Sequence, residues 1–129
     1  MSLDSCIPKH KHDLPAAAQA RKLGFPSLND AIPELLKWVQ DANWPVAKPV
    51  ASVLKKAGLE IVPHIRGVLA GRDAAWKYWL IVLVIAESTP EVVKELREEL
   101  RHLAFEPSRE DTLESVNTAA RNVLHERLF

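Results

Sequence analysis

The sequence predicts an all-α domain of about seven helices, and three observations carry that prediction. Apolar residues recur three and four positions apart along most of the chain, and no stretch alternates apolar and polar residues long enough to make a strand. Capping side chains, early prolines and terminal glycines fall where those apolar periods start and stop. Residues 73–86, which after Trp76 are apolar on every side apart from Lys77, form the strongest element. At about 1.5 Å per residue this stretch is too short for a bilayer, which needs about 20 apolar residues, so it is expected to be a core helix sheathed by its neighbours.

Residues 1–12 lack an apolar period and read as an irregular N-terminal arm, with the helical domain over 13–129. Asp13 is placed as an N-cap, with Leu14 and Pro15 in the first turn of an alanine-rich helix that Gly24 and Pro26 stop near Leu23. Ser27 or Asn29 caps a second helix carrying Ile32, Leu35, Leu36 and Val39 on one stripe. A third is expected from about Pro45 to Ala57, with Val46, Val50, Val53 and Leu54 in phase and Gly58 as its C-cap. Glu60 to Ala70 repeats the design of the second and stops at Gly71, after which Asp73 caps the central helix. Thr89, Pro90 and Glu91 restart the chain as N-cap, first helical residue and dipole partner of a helix to about Ala104. The last helix is expected from Arg109 to about Leu128, with Leu113, Val116, Ala120, Val123 and Leu124 at helical spacing.

At 129 residues, 47% hydrophobic and 26% charged, the chain suits one domain that buries roughly two-thirds of its extended surface. The single Cys6 offers neither a disulfide nor a multi-cysteine zinc site, which agrees with a reducing compartment. No basic leader with an apolar stretch and cleavage site opens the chain, so a cytoplasmic location without a membrane is expected, and Met1-Ser2-Leu3 is compatible with a vector-derived start. Seventeen basic and seventeen acidic residues balance, which argues against broad capture of nucleic acid. Their distribution is uneven: residues 44–86 carry six Lys and Arg against two acids, and residues 87–129 carry six against ten. Ordinary solvated helix faces explain this, as does a polarised surface that orients a charged partner.

Two segments resemble each other beyond shared helicity. Ile32-Pro33-Glu34-Leu35 matches Val62-Pro63-His64-Ile65, and Asp41-Ala42-Asn43-Trp44 matches Asp73-Ala74-Ala75-Trp76 after a two-residue insertion. A proline early in the first helix and an aspartate in the turn between helices resemble HEAT repeats, whose antiparallel pairs stack into a solenoid. Pro8-Lys9-His10-Lys11-His12-Asp13, Asn43-Trp44-Pro45-Val46 and Trp76-Lys77-Tyr78-Trp79 are also similar to the landmarks of a small bacterial HEAT-like family of uncharacterised function. That resemblance implies a short HEAT-like α-α superhelical stack and carries over no catalytic residue.

In such a stack the second helices of successive repeats line a concave face, so Trp44, Lys48, Trp76 and Lys77, with Asp41, Asn43 and Asp73, are the candidate binding residues. The same tryptophans also serve as core aromatics, and Lys77 either snorkels to the surface or marks the groove. His10, His12 and Asp13 have ligand chemistry, but a metal site needs further ligands held rigidly, so no metal and no cofactor are expected and Asp13 reads first as a cap. Carboxylate pairs such as Glu98 and Glu99, or Glu110 and Asp111, read as solvated helix faces. No nucleophile with a partner base is evident. The expected function is therefore a non-enzymatic interaction domain whose partner is another protein or peptide, with the oligomeric state open. The alternative is a nucleic-acid-binding or DNA-glycosylase-like enzyme, since HEAT-like alkylpurine glycosylases hold a damaged nucleotide against tryptophans and an acid. Those enzymes resemble longer stacks with a strongly basic groove.

Overall fold

Asp13 opens the first helix by accepting the Ala16 N–H at 3.3 Å, and Gly24 closes it at φ 66° while donating its own N–H to the Ala20 carbonyl. The left-handed backbone at that position is one that glycine adopts without a Cβ clash. This helix, α1 (Leu14–Leu23), is the first of nine α-helices among the described residues of the computed structural model, which are 3–128. Met1, Ser2 and Phe129, the outermost residues of the expected arm and domain, lie outside them. No strand occurs among the described residues, so the fold is all-α.

α2 (Ile32–Leu36) and α4 (Val62–Leu69) are built alike. Each follows one turn of 3-10 helix, Asn29–Ala31 or Leu59–Ile61, and each places a proline, Pro33 or Pro63, in its first turn, where a missing N–H leaves no helical bond unmade. The second halves of the repeat differ. Asp73 caps α5 (Ala74–Leu83) by accepting the Trp76 N–H at 3.0 Å. Asp41 instead accepts the Asn43 N–H at 2.8 Å in a tight turn, and α3 (Ala47–Leu54) begins only at Ala47. Pro45 is the physical reason, because its ring disfavours helical backbone at the residue before it, so Trp44 stays in the turn.

Two expected helices are each divided, giving nine rather than seven. At Leu96 the N–H is shared between the Val92 and Val93 carbonyls and ψ opens to 7°, which separates α6 (Pro90–Glu95) from α7 (Arg97–Phe105). Ser115, left-handed at φ 63°, separates α8 (Arg109–Leu113) from α9 (Val116–Arg127). Thr89 holds the N-cap position of α6, but its hydroxyl makes no capping bond.

Packing runs along a row in which α1 meets α3, α3 meets α5 and α5 meets α9, with α2 laid on α3, α4 on α5 and α7 on α9. The central helix α5 also touches α8. Its Leu80 and Ile81, followed by Val84 and Ile85, are fully buried, each large aliphatic side chain contributing about 1.5–3 kcal/mol. The expected all-round sheath is incomplete: Val82 is exposed, and Tyr78 and Trp79 are half-buried with their rings edge-to-face at 4.9 Å. Past α5, Arg127 of α9 donates to the Ala86 and Ser88 carbonyls at 2.6 and 2.9 Å, pinning the last helix to the turn before α6. Before α1, Leu3–Cys6 form a single 3-10 turn that puts Cys6 into the core at 2% exposure, so this part of the expected arm is packed rather than loose. No helix among the described residues is long and apolar enough to cross a membrane.

Candidate functional site

Lys77 lies one turn into α5 and is buried, the only charge in an apolar run. Its Nζ donates to both carboxylate oxygens of Asp111 at 3.1 and 3.2 Å, and the two side chains are only 7% and 5% exposed. Local capping delivers Asp111 to this position. Ser108 Oγ accepts the Asp111 N–H at 3.1 Å, and Thr112 Oγ1 donates to the Ser108 carbonyl at 3.0 Å, so the short helix α8 starts there. The left-handed Ser115 then sets the phase. An uninterrupted helix would bury Leu113 on the Val116 stripe, whereas here Leu113 is 74% exposed and Asp111 faces inward. The expectation of a solvated Glu110 and Asp111 pair is thus corrected for Asp111, whose partner lies 34 residues back in the chain.

Above this ion pair opens a cleft of about 1050 Å³ between α4, the turn into α5, α7 and the start of α8. Leu69 and Leu103 give it an apolar base, and Arg66, Arg72, Glu98, His102, Glu106 and Glu110 stand exposed around it. Arg66 fixes one wall. Its Nε donates to Glu99 and its Nη2 to the Glu95 carbonyl at 3.1 Å, which ties α4 to α6 and α7. These bonds, Glu99 first, raise the Arg66 guanidinium above its already high ordinary value, so it stays charged. Glu99, expected on a solvated face, is half-buried here, and its Oε2 is buried without a hydrogen-bond partner among the described residues. His102 Nδ1 lies 3.4 Å from Glu106 Oε2 on the rim. Five carboxylates against three permanent cations give the lining a net charge of −2 with His102 neutral.

The candidate binding residues singled out from sequence fall in four places rather than along one groove edge. Lys77 reaches the cleft, and Asp73 beside it is exposed and occupied as the α5 cap. Trp76 is half-buried, and its indole Nε1 donates to the Leu36 carbonyl at 3.0 Å, a pin between α5 and the end of α2. Trp44 packs edge-to-face on Trp38 at 5.7 Å, over the turn that Asp41 and Asn43 make. Lys48 is exposed in a separate hollow between α1 and α3. His10 and His12 are exposed with ring centroids 6.5 Å apart, and the His12 N–H donates to His10 Nδ1. Among the described residues no group of three or more His, Cys, Asp or Glu side chains is placed to hold a metal ion.

Sequence reasoning did not single out Arg66, Arg72, His102 or Asp111 as site residues. One signal was present: Ser108-x-x-Asp111 is a helix start that puts a carboxylate three residues in, and Lys77 in its apolar run required a counter-charge from elsewhere. No curated protein matches the chain. Residues 6–124, which take in both members of the ion pair and every wall of the cleft, match the domain of unknown function DUF5071, and the chain belongs to that family.

Proposed function

We propose that the protein is a non-enzymatic interaction module, a short HEAT-like stack in the bacterial cytoplasm, and that it holds a basic segment of a protein partner in the cleft over Lys77 and Asp111. The observation that carries this reading is the cleft itself: about 1050 Å³, open to solvent, apolar at its base and ringed by charges in which carboxylates predominate. Small substrates favour enclosed pockets that bury most of the ligand, whereas an open trough with a charged rim suits a polypeptide. Beneath that apolar base Lys77 and Asp111 pair with each other, which suits a wall-setting role better than an acid–base one. Stacking of α1, α3, α5 and α9, together with the like construction of α2 and α4, supports the HEAT-like description.

The glycosylase-like alternative needs a tryptophan free to meet a base beside an acid. Trp76 spends its N–H on Leu36 and Trp44 its face on Trp38, so that reading has the weaker support. The test is capture from native lysate by the wild type in parallel with Glu98→Lys/Glu106→Lys, both rim residues being exposed. A protein recovered by the wild type and lost with the variant, at unchanged circular dichroism, is the expected result. Equal recovery by both, or duplex DNA binding that weakens steeply with salt, overturns the proposal.

A further inference from the structure

A second surface, unrelated to the cleft, has the opposite charge. α1 and α3 run side by side in the same direction. The Val46 N–H donates to the Lys11 carbonyl at 3.1 Å where both begin, and Arg21, Phe25, Val53 and Lys56 share a small hollow where both end. Between them lies a groove of about 680 Å³ floored by Leu14, Ala17, Ala18 and Pro49. Its charged lining is wholly basic, with Arg21, Lys48, Lys55 and Lys56 and no carboxylate. Lys55 reaches Glu87 at 3.4 Å, while Arg21, Lys48 and Lys56 make no ion pair among the described residues. Leu14 is 48% exposed at one end of the groove.

We propose that this groove docks an acidic amphipathic helix of a partner protein. Small residues on the floor let a third helix approach the α1 and α3 backbones closely, and Leu14 offers it an apolar anchor. The walls are about 12–15 Å long, which fits two to three helical turns. Arg21, Lys48 and Lys56, which make no ion pair among the described residues, select carboxylates on the flanks of that helix. Protein is favoured over single-stranded nucleic acid because the groove between the helices presents aliphatic side chains where a strand needs aromatic stacking platforms.

The probe is a labelled peptide of about eighteen residues, Leu and Ala on one helical face and Glu on the other, followed by fluorescence anisotropy at physiological salt. Controls are a scramble of the same composition, the Lys-for-Glu peptide and an oligouridine. The amphipathic acidic peptide is expected to bind at least about tenfold more tightly than the scramble and to lose about tenfold or more against Lys48→Glu/Lys56→Glu. Leu14→Asp, at an exposed position, is expected to weaken it as well, whereas Glu98→Lys/Glu106→Lys in the cleft leaves it unchanged. Equal binding of the scramble, tighter binding of the oligouridine, or retention of affinity in Lys48→Glu/Lys56→Glu overturns the proposal. So does concentration-dependent self-association that this variant abolishes, which would make the occupant a second copy.

Discussion

Lys77→Met, Asp111→Leu and the double variant test how the cleft is held. Both side chains are at most 7% exposed, and the ammonium spans both carboxylate oxygens at 3.1 and 3.2 Å. Removing one partner strands a buried charge, which costs about 3–5 kcal/mol, whereas an exposed pair costs roughly 0–1 kcal/mol. Against a total stability of about 5–15 kcal/mol for a domain of this kind, either single change removes a large share. For a chain this size each kcal/mol shifts Tm by about 4 °C, so each single variant is expected to melt roughly 12–20 °C lower. The double variant replaces the pair by apolar groups of similar volume, and it is expected to regain most of that loss or to exceed the wild type. Urea unfolding of all four proteins closes the cycle as a coupling energy of several kcal/mol. Single variants that each cost under about 1 kcal/mol, with additive effects in the double, would refute the reasoning, because a pair that is buried cannot behave as a solvated one.

Ser115 sits at φ 63°, where a side chain costs about 1–2 kcal/mol, so Ser115→Gly is expected to raise stability in urea by about 0.5–1 kcal/mol after the entropy of glycine is offset, and Ser115→Val to lower it. Trp76→Phe keeps most of the ring but removes the indole N–H bond to the Leu36 carbonyl, with an expected loss of about 0.5–1.5 kcal/mol by the same measurement. The Lys9 N–H first, and the Ala16 N–H after it, hold the Asp13 carboxyl below its ordinary 3.8. Its contribution is then present above that value and is lost as pH falls through the lower folded one. Asp13→Ala is expected to melt below the wild type at pH 7, with the gap closing in acid, and a gap that widened in acid would contradict this sign.

Where an element announced itself by punctuation, the sequence located it well. Asp13 with Pro15 and Gly24 bounded α1, and the prolines at 33 and 63 marked two helices of like construction. The breaks at Leu96 and Ser115 carry no Gly or Pro, and unbroken apolar periods run through both, so nothing local betrays them. Burial of Asp111 left only an indirect trace, a lysine in an apolar run that needs a counter-charge, since it depends on Lys77, 34 residues earlier, and on a left-handed serine that rotates Leu113 outward. Cys6 shows the same limit: a stretch without helical period still packs when one small apolar side chain meets a gap in the core. The candidate residues scattered because their roles were set by tertiary partners, Leu36 for Trp76 and Trp38 for Trp44, that helical spacing does not reveal.

The cleft as the seat of a basic protein segment is tested most directly by titrating the captured partner into isotope-labelled protein and mapping the amide chemical shifts. Changes are expected to cluster at Ala70, Gly71 and Arg72, along α7 from Glu98 to His102, and at Ser108 and Glu110. Shifts confined to other surfaces, with those amides unmoved at saturation, would contradict the account.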